Sequence, residues 1–124
     1  MQMQMTSLRL EDVQEILRLS AALNVAFPPS DTPLDYSNDA WREEFRRYMS
    51  SPERSALFGY LNHLSMDARR ELLALMWLGR GDADDFPALV RYAVGISGPS
   101  DAQYIIEKVH ALPLYLREGL RRLV

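Results

Sequence analysis

Leu72-Leu73-Ala74-Leu75-Met76-Trp77-Leu78 is the most apolar stretch of a 124-residue chain. Ser65 upstream is a residue type suited to capping a helix N-terminus, and Ala68, Leu72, Leu73, Leu75, Met76, Trp77 and Leu78 follow at helical spacing. The second half of this segment is apolar on every side, the pattern of a helix surrounded by protein rather than one lying on a surface. It is expected to be the fourth helix of the chain and the centre of the fold. Gly79 can take the left-handed conformation that ends such a helix.

Working outward toward the N-terminus, Ser51-Pro52-Glu53 supplies a cap, a first-turn proline and an acid near the positive helix end. Ala56, Leu57, Tyr60, Leu61 and Leu64 then mark a third helix. Before it, Trp41, Phe45, Tyr48 and Met49 share one face of a second helix, with Glu43 able to pair with Arg46 and Arg47. Val13, Ile16, Leu17, Ser20 and Leu23 recur at helical spacing between Glu11 and Asn24 and define the first. Residues 25–38 contain Pro28, Pro29 and Pro33 and read as a long loop, because proline removes amide donors and disfavours helix in the residue before it. Residues 1–9 are expected to fray.

Toward the C-terminus, Asp84 or Asp85 can cap a fifth helix carrying Phe86, Leu89, Val90, Ala93 and Val94, with Pro87 tolerated in its first turn. Gly95 and Gly98-Pro99 stop it. Ser100 and Gln103 have the spacing of a capping box ahead of Ala102, Ile105, Ile106 and Val109. Beyond Pro113, Leu112, Leu116, Leu120 and Leu123 form the stripe of a last segment. No segment alternates as a half-buried strand does. The fold class is all-α, a compact bundle of about six or seven short helices in one domain spanning residues 1–124.

Composition narrows the function classes. With 48% hydrophobic and 25% charged residues, the chain has the balance of a folded protein. A net charge of -3 gives no global attraction to nucleic acid, and only the C-terminal segment, with Lys108, Arg117, Arg121 and Arg122 against Glu118, is locally basic. Glu15 with Arg18, Asp67 with Arg70, and Glu118 with Arg121 and Arg122 are spaced to pair on helix surfaces. A nucleic-acid role is therefore not expected. The absence of cysteine excludes disulfides and thiolate metal sites, and Met1-Gln2-Met3-Gln4-Met5 lacks the basic start and apolar stretch of a signal peptide. The expected setting is the cytoplasm, with no membrane span, since the longest apolar run is far short of the roughly 20 residues needed.

The stretch Leu72-Leu73-Ala74-Leu75-Met76-Trp77-Leu78-Gly79-Arg80-Gly81-Asp82 resembles a bacterial family of uncharacterised proteins, domain of unknown function 3775. Leu112-Pro113-Leu114-Tyr115-Leu116-Arg117-Glu118-Gly119-Leu120 is a second match, and the likeness covers roughly residues 65–120. The resemblance implies a small helical domain and no chemistry.

Among candidate sites, Gly79-Arg80-Gly81-Asp82 is the sharpest local feature, because two glycines permit backbone angles that could hold Arg80 and Asp82 toward a ligand. A tight helix-to-helix turn with a cation at the helix C-terminus requires the same residues and is the stronger reading. Arg80-Gly81-Asp82 also matches an integrin-binding tripeptide, a coincidence in a chain with no export signal. Asp82, Asp84 and Asp85 do not make a calcium loop, whose sixth and twelfth positions here hold Pro87 and Ala93 instead of glycine and glutamate. His63 and His110 show no paired metal-ligand spacing. His110 with Glu107 or Glu118 is the one combination suggestive of acid–base work, and Glu107 with His110 equally describes a solvated helix pair. The expected role is a non-enzymatic helical module that associates with itself or with another protein, with no cofactor and no metal. The alternative is a small-molecule-binding or catalytic domain around Arg80, Asp82 and His110, which a deep pocket joining those residues would favour.

Overall fold

In the computed structural model, which describes residues 4–29, 39–96 and 101–123, seven helices and no strand are found among the described residues. They are α1 (Leu10–Ala26), α2 (Asp39–Met49), α3 (Pro52–His63), α4 (Met66–Arg80), α5 (Phe86–Ile96), α6 (Asp101–Glu107) and α7 (Leu112–Leu123). The all-α expectation holds, and the caps explain where several elements begin. The Ser51 and Ser65 hydroxyls accept from the Arg54 and Ala68 backbone N–H groups, and the Asp85 carboxylate accepts from that of Ala88. Each cap satisfies an amide that the first turn leaves without an intrahelical partner.

The α4 helix is the hub. Every residue from Glu71 to Leu78 is buried, as its all-round apolar pattern requires. It lies along α7 and α5 and touches α6, while α1 packs against α3 and α7. Val13, Ile16, Leu23, Leu57, Leu61, Leu72, Leu75, Ile105, Leu112 and Leu116 join into one core cluster. Helices of this length are marginal alone in water, so the burial of each such side chain, at about 1.5–3 kcal/mol, is what holds them in place.

Three boundaries differ from the sequence reading. The first concerns Gly79, expected to end α4 in the left-handed region. The helix runs on through Arg80, and Gly81 is the left-handed residue, with φ 94° and its N–H donating to the Trp77 and Leu78 carbonyls. Gly79 instead lies where α7 crosses. A Cβ there would fall inside contact distance of the Tyr115 backbone carbonyl and 2.8 Å from the Gly119 nitrogen. The second concerns the segment expected to fray. Residues 1–3 lie outside the described residues, but Met5 and Leu8 are buried in the core and the intervening backbone is tied to α4. The third concerns the loop expected over 25–38, since α1 continues through Val25 and Ala26. Residues 30–38, like Gly98, Pro99 and Ser100 of the expected stop and capping box, lie outside the described residues.

Helix α2 stands apart from the hub. None of its residues is buried. Trp41 and Phe45 stack on each other with ring centroids 5.3 Å apart, and Tyr48 meets Phe27 edge-on at 5.4 Å. The apolar face read from the sequence therefore exists, and Tyr48 joins it to the partly buried shell around the core.

Candidate functional site

The C-terminal end of α4 positions the one polar pair expected from the sequence. Arg80 is the last residue of that helix, and the left-handed turn at Gly81 brings Asp82 back beside it. Arg80 Nε lies 3.0 and 3.1 Å from the two Asp82 oxygens, and Nη2 lies 2.5 Å from Oδ2. This side-on fork holds the Arg80 guanidinium above its ordinary pKa, with hydrogen bonding to Asp82 the largest cause, burial opposing it, and the Asp82 charge and the Tyr104 hydroxyl adding to it. The Asp82 carboxyl is held below its ordinary value by the same hydrogen bonds. Both groups therefore stay ionised around neutral pH and satisfy each other, an arrangement suited to shaping a surface rather than exchanging protons.

Arg80 and Asp82 form the polar rim of an open cleft of about 400 Å³ whose other walls are Trp77, Leu89, Tyr92 and Tyr104. Trp77 forms the floor. Its indole Nε1–H donates to the Tyr104 hydroxyl oxygen at 3.3 Å, and the ring of Tyr92 meets it edge-on with centroids 5.4 Å apart. Trp77 is only 4% exposed, whereas Tyr92 is 63% exposed. The cleft thus has a rigid aromatic base from α4 and α6 and a solvent-facing ring from α5. The Lys108 ammonium sits 5.4 Å from the Tyr104 ring centroid.

His110 is not part of this cleft. It follows α6, and its Nδ1 is 2.9 Å from the Asn24 side-chain oxygen on α1, while the Asn24 amide donates to the Val109 carbonyl at 3.0 Å. The structure therefore joins Arg80 to Asp82 and leaves His110 on another surface. Of the other acids expected near the turn, Asp85 caps α5, and Asp84 is fully exposed with an oxygen 3.9 Å from Arg122. No group of three His, Cys, Asp or Glu residues able to hold a metal occurs among the described residues.

Sequence reading missed a second polar site. Glu71, 6% exposed, accepts from the backbone N–H groups of Thr6, Ser7 and Leu8 at 2.9, 2.8 and 2.7 Å and from the Thr6 hydroxyl at 2.9 Å. Burial alone pushes this carboxyl upward, but the Leu8, Thr6 and Ser7 amides and the Thr6 hydroxyl outweigh it and hold Glu71 below its ordinary value. Its chemistry is structural, since every donor comes from the chain itself. A buried acid at the edge of an apolar run is the signal that could have found it.

A family model described as "Protein of unknown function (DUF3775)" matches residues 54–123. That span takes in the whole cleft, both matched stretches of α4 and α7, and all helices from α3 onward except the first two residues of α3. No curated protein and no solved structure matches the chain.

Proposed function

This chain belongs to the DUF3775 family of proteins of unknown function, and we propose that it is a non-enzymatic binding module whose working surface is the cleft at the end of α4. The observation that carries the reading is the contrast between Trp77 and Tyr92. One ring is locked in the core and hydrogen-bonded, and the other lies across it and open to solvent. Aromatic and arginine side chains gathered over a buried floor are the composition of interface centres, where a partner's side chain displaces water from a preformed surface. The mutual pairing of Arg80 and Asp82 supports binding over catalysis, because neither is presented as an acid or a base.

The partner is a protein segment, from another chain or from a second copy of this one. A cytoplasmic setting is part of the proposal and rests on the absence of cysteine. No described helix is long and apolar enough to cross a membrane. The small-molecule alternative keeps the cleft but not its third residue, since His110 is held by Asn24. Selection from a displayed library of peptides constrained at both ends tests the reading. Binders should be retained by the wild-type chain and lost on Tyr92→Ala. Binders indifferent to Tyr92, or mapping to another face, would contradict it.

A further inference from the structure

The hydrogen-bond inventory of the cleft is one-sided. Of the five N–H donors of Arg80, Asp82 occupies those on Nε and one edge of Nη2 and the Tyr104 oxygen interacts with another, which leaves two N–H groups. The Tyr104 oxygen accepts from Trp77, and its own O–H has no acceptor among the described residues. Among the lining side chains the acceptors are the two Asp82 oxygens, which Arg80 already engages, and the Tyr104 oxygen, which Trp77 engages. Above an aromatic floor, the unspent polar capacity of the lining side chains therefore consists of donors, carried by the Arg80 cation and the Tyr104 hydroxyl.

We propose that the cleft takes the free C-terminal end of a partner polypeptide, its last apolar side chain against Trp77, Leu89 and Tyr92 and its terminal carboxylate on the Arg80 and Tyr104 donors. This deepens the binding-module reading and rests on it. A carboxylate supplies the acceptors that the rim lacks, and hydrogen bonds between ionised partners are about twice as strong as neutral ones. A ligand ammonium would meet the Arg80 cation and an Asp82 carboxylate whose two oxygens Arg80 already engages. A chain terminus fits better than an internal Asp or Glu, because its carboxylate and an apolar side chain share one Cα and enter together. Capture of a terminal carboxylate by converging donors is a known mode of peptide recognition, and about 400 Å³ is at the scale of a site for one such group.

The test follows the Trp77 indole N–H resonance of the isotope-labelled full chain during titration with N-acetyl-Gly-Ser-Gly-Phe as the free acid, as its C-terminal amide, and with 2-naphthoate. The free acid should shift the Trp77 signal, bind roughly tenfold more tightly than the amide, and weaken as salt is raised. Tyr104→Phe and the charge-neutral double variant Arg80→Gln/Asp82→Asn, each checked for unchanged helicity, should narrow the acid-to-amide ratio toward one. Equal binding of acid and amide at Trp77 would overturn this inference while leaving the binding-module reading standing. Binding of naphthoate without the peptide acid would overturn the chain terminus as occupant. No response of Trp77 to the free acid would also overturn it, whereas the reading beneath it fails only if both-ends-constrained peptides also ignore Tyr92.

Discussion

Gly79 and Gly119 meet backbone to backbone where α4 crosses α7. A Cβ on Gly79 would sit 2.8 Å from the Gly119 nitrogen, and one on Gly119 would strike the Leu75 carbonyl and come within 2.9 Å of the Leu75 side chain. The close approach seats α7 along the helix whose end carries the cleft, so it fixes the floor on which Trp77 stands. Either glycine changed to alanine should destabilise the fold by about 3 kcal/mol, the upper part of the range for overpacking, because the obstructing atoms are largely backbone and cannot rotate away. A methyl group added at Gly59, within α3, would meet nothing within 4 Å. Gly59→Ala should stabilise by about 0.5–1 kcal/mol through helix propensity. Urea denaturation of the three variants checks both signs.

Glu71 gives the fold a defined acid sensitivity. Its carboxyl is held below the ordinary 4.5 in the folded chain, so the stabilisation is complete above that value and is lost as pH falls through the folded-state pKa. Glu71→Ala should remove this part of the acid transition and cost about 3 kcal/mol, since buried amide donors would be left unpaired. Amide hydrogen exchange should show protection lost first at Thr6, Ser7 and Leu8.

Tyr60 makes the opposite prediction at high pH. Its hydroxyl donates to Asp12 Oδ1 at 2.7 Å, and burial first, then this bond and the Asp12 charge, push the phenol up to about 12 from 10.0. The folded state thus favours the protonated phenol. This contribution is intact below 10.0 and declines as pH rises through about 12. Spectrophotometric titration should find one tyrosine ionising late, and Tyr60→Phe should abolish that late step.

Arg54 is 9% exposed, with its guanidinium 5.1 Å from the Phe58 ring centroid, 5.8 Å from that of Tyr48, and a single 3.4 Å hydrogen bond to Gln103. Its Nε has no acceptor among the described residues. A buried cation compensated chiefly by ring faces is replaceable by an apolar side chain of similar length. Arg54→Met should change stability by less than about 1 kcal/mol or raise it, as thermal unfolding would show.

The sequence made the helices legible because caps and apolar spacing are local. Ser51, Ser65 and Asp85 cap as their positions imply, and Glu15 with Arg18, Asp67 with Arg70, and Glu118 with Arg121 pair as their spacing allows. Glu43 pairs with Arg46, whereas Arg47 turns to Glu44. What escaped depends on partners distant in the chain. Gly79 looked like a helix end because the need for a bare Cα is created by α7, 40 positions further on at Gly119. Glu71 and the Thr6–Leu8 backbone are separated by 63–65 residues, and nothing at either end announces the other. Of the candidate site, Arg80 and Asp82 were legible as neighbours across a turn, while Tyr92 and Tyr104 reach them through helix packing that periodicity does not specify.

The binding reading makes Trp77 the floor of a receptive surface, and the two tryptophans of the chain offer an internal comparison. The most direct measurement is the pair of indole N–H resonances during titration with a library-selected peptide. Trp77 should shift saturably while Trp41, out on α2, stays in place, and Tyr92→Ala should remove the response. A shift of Trp41 with Trp77 unmoved would contradict it.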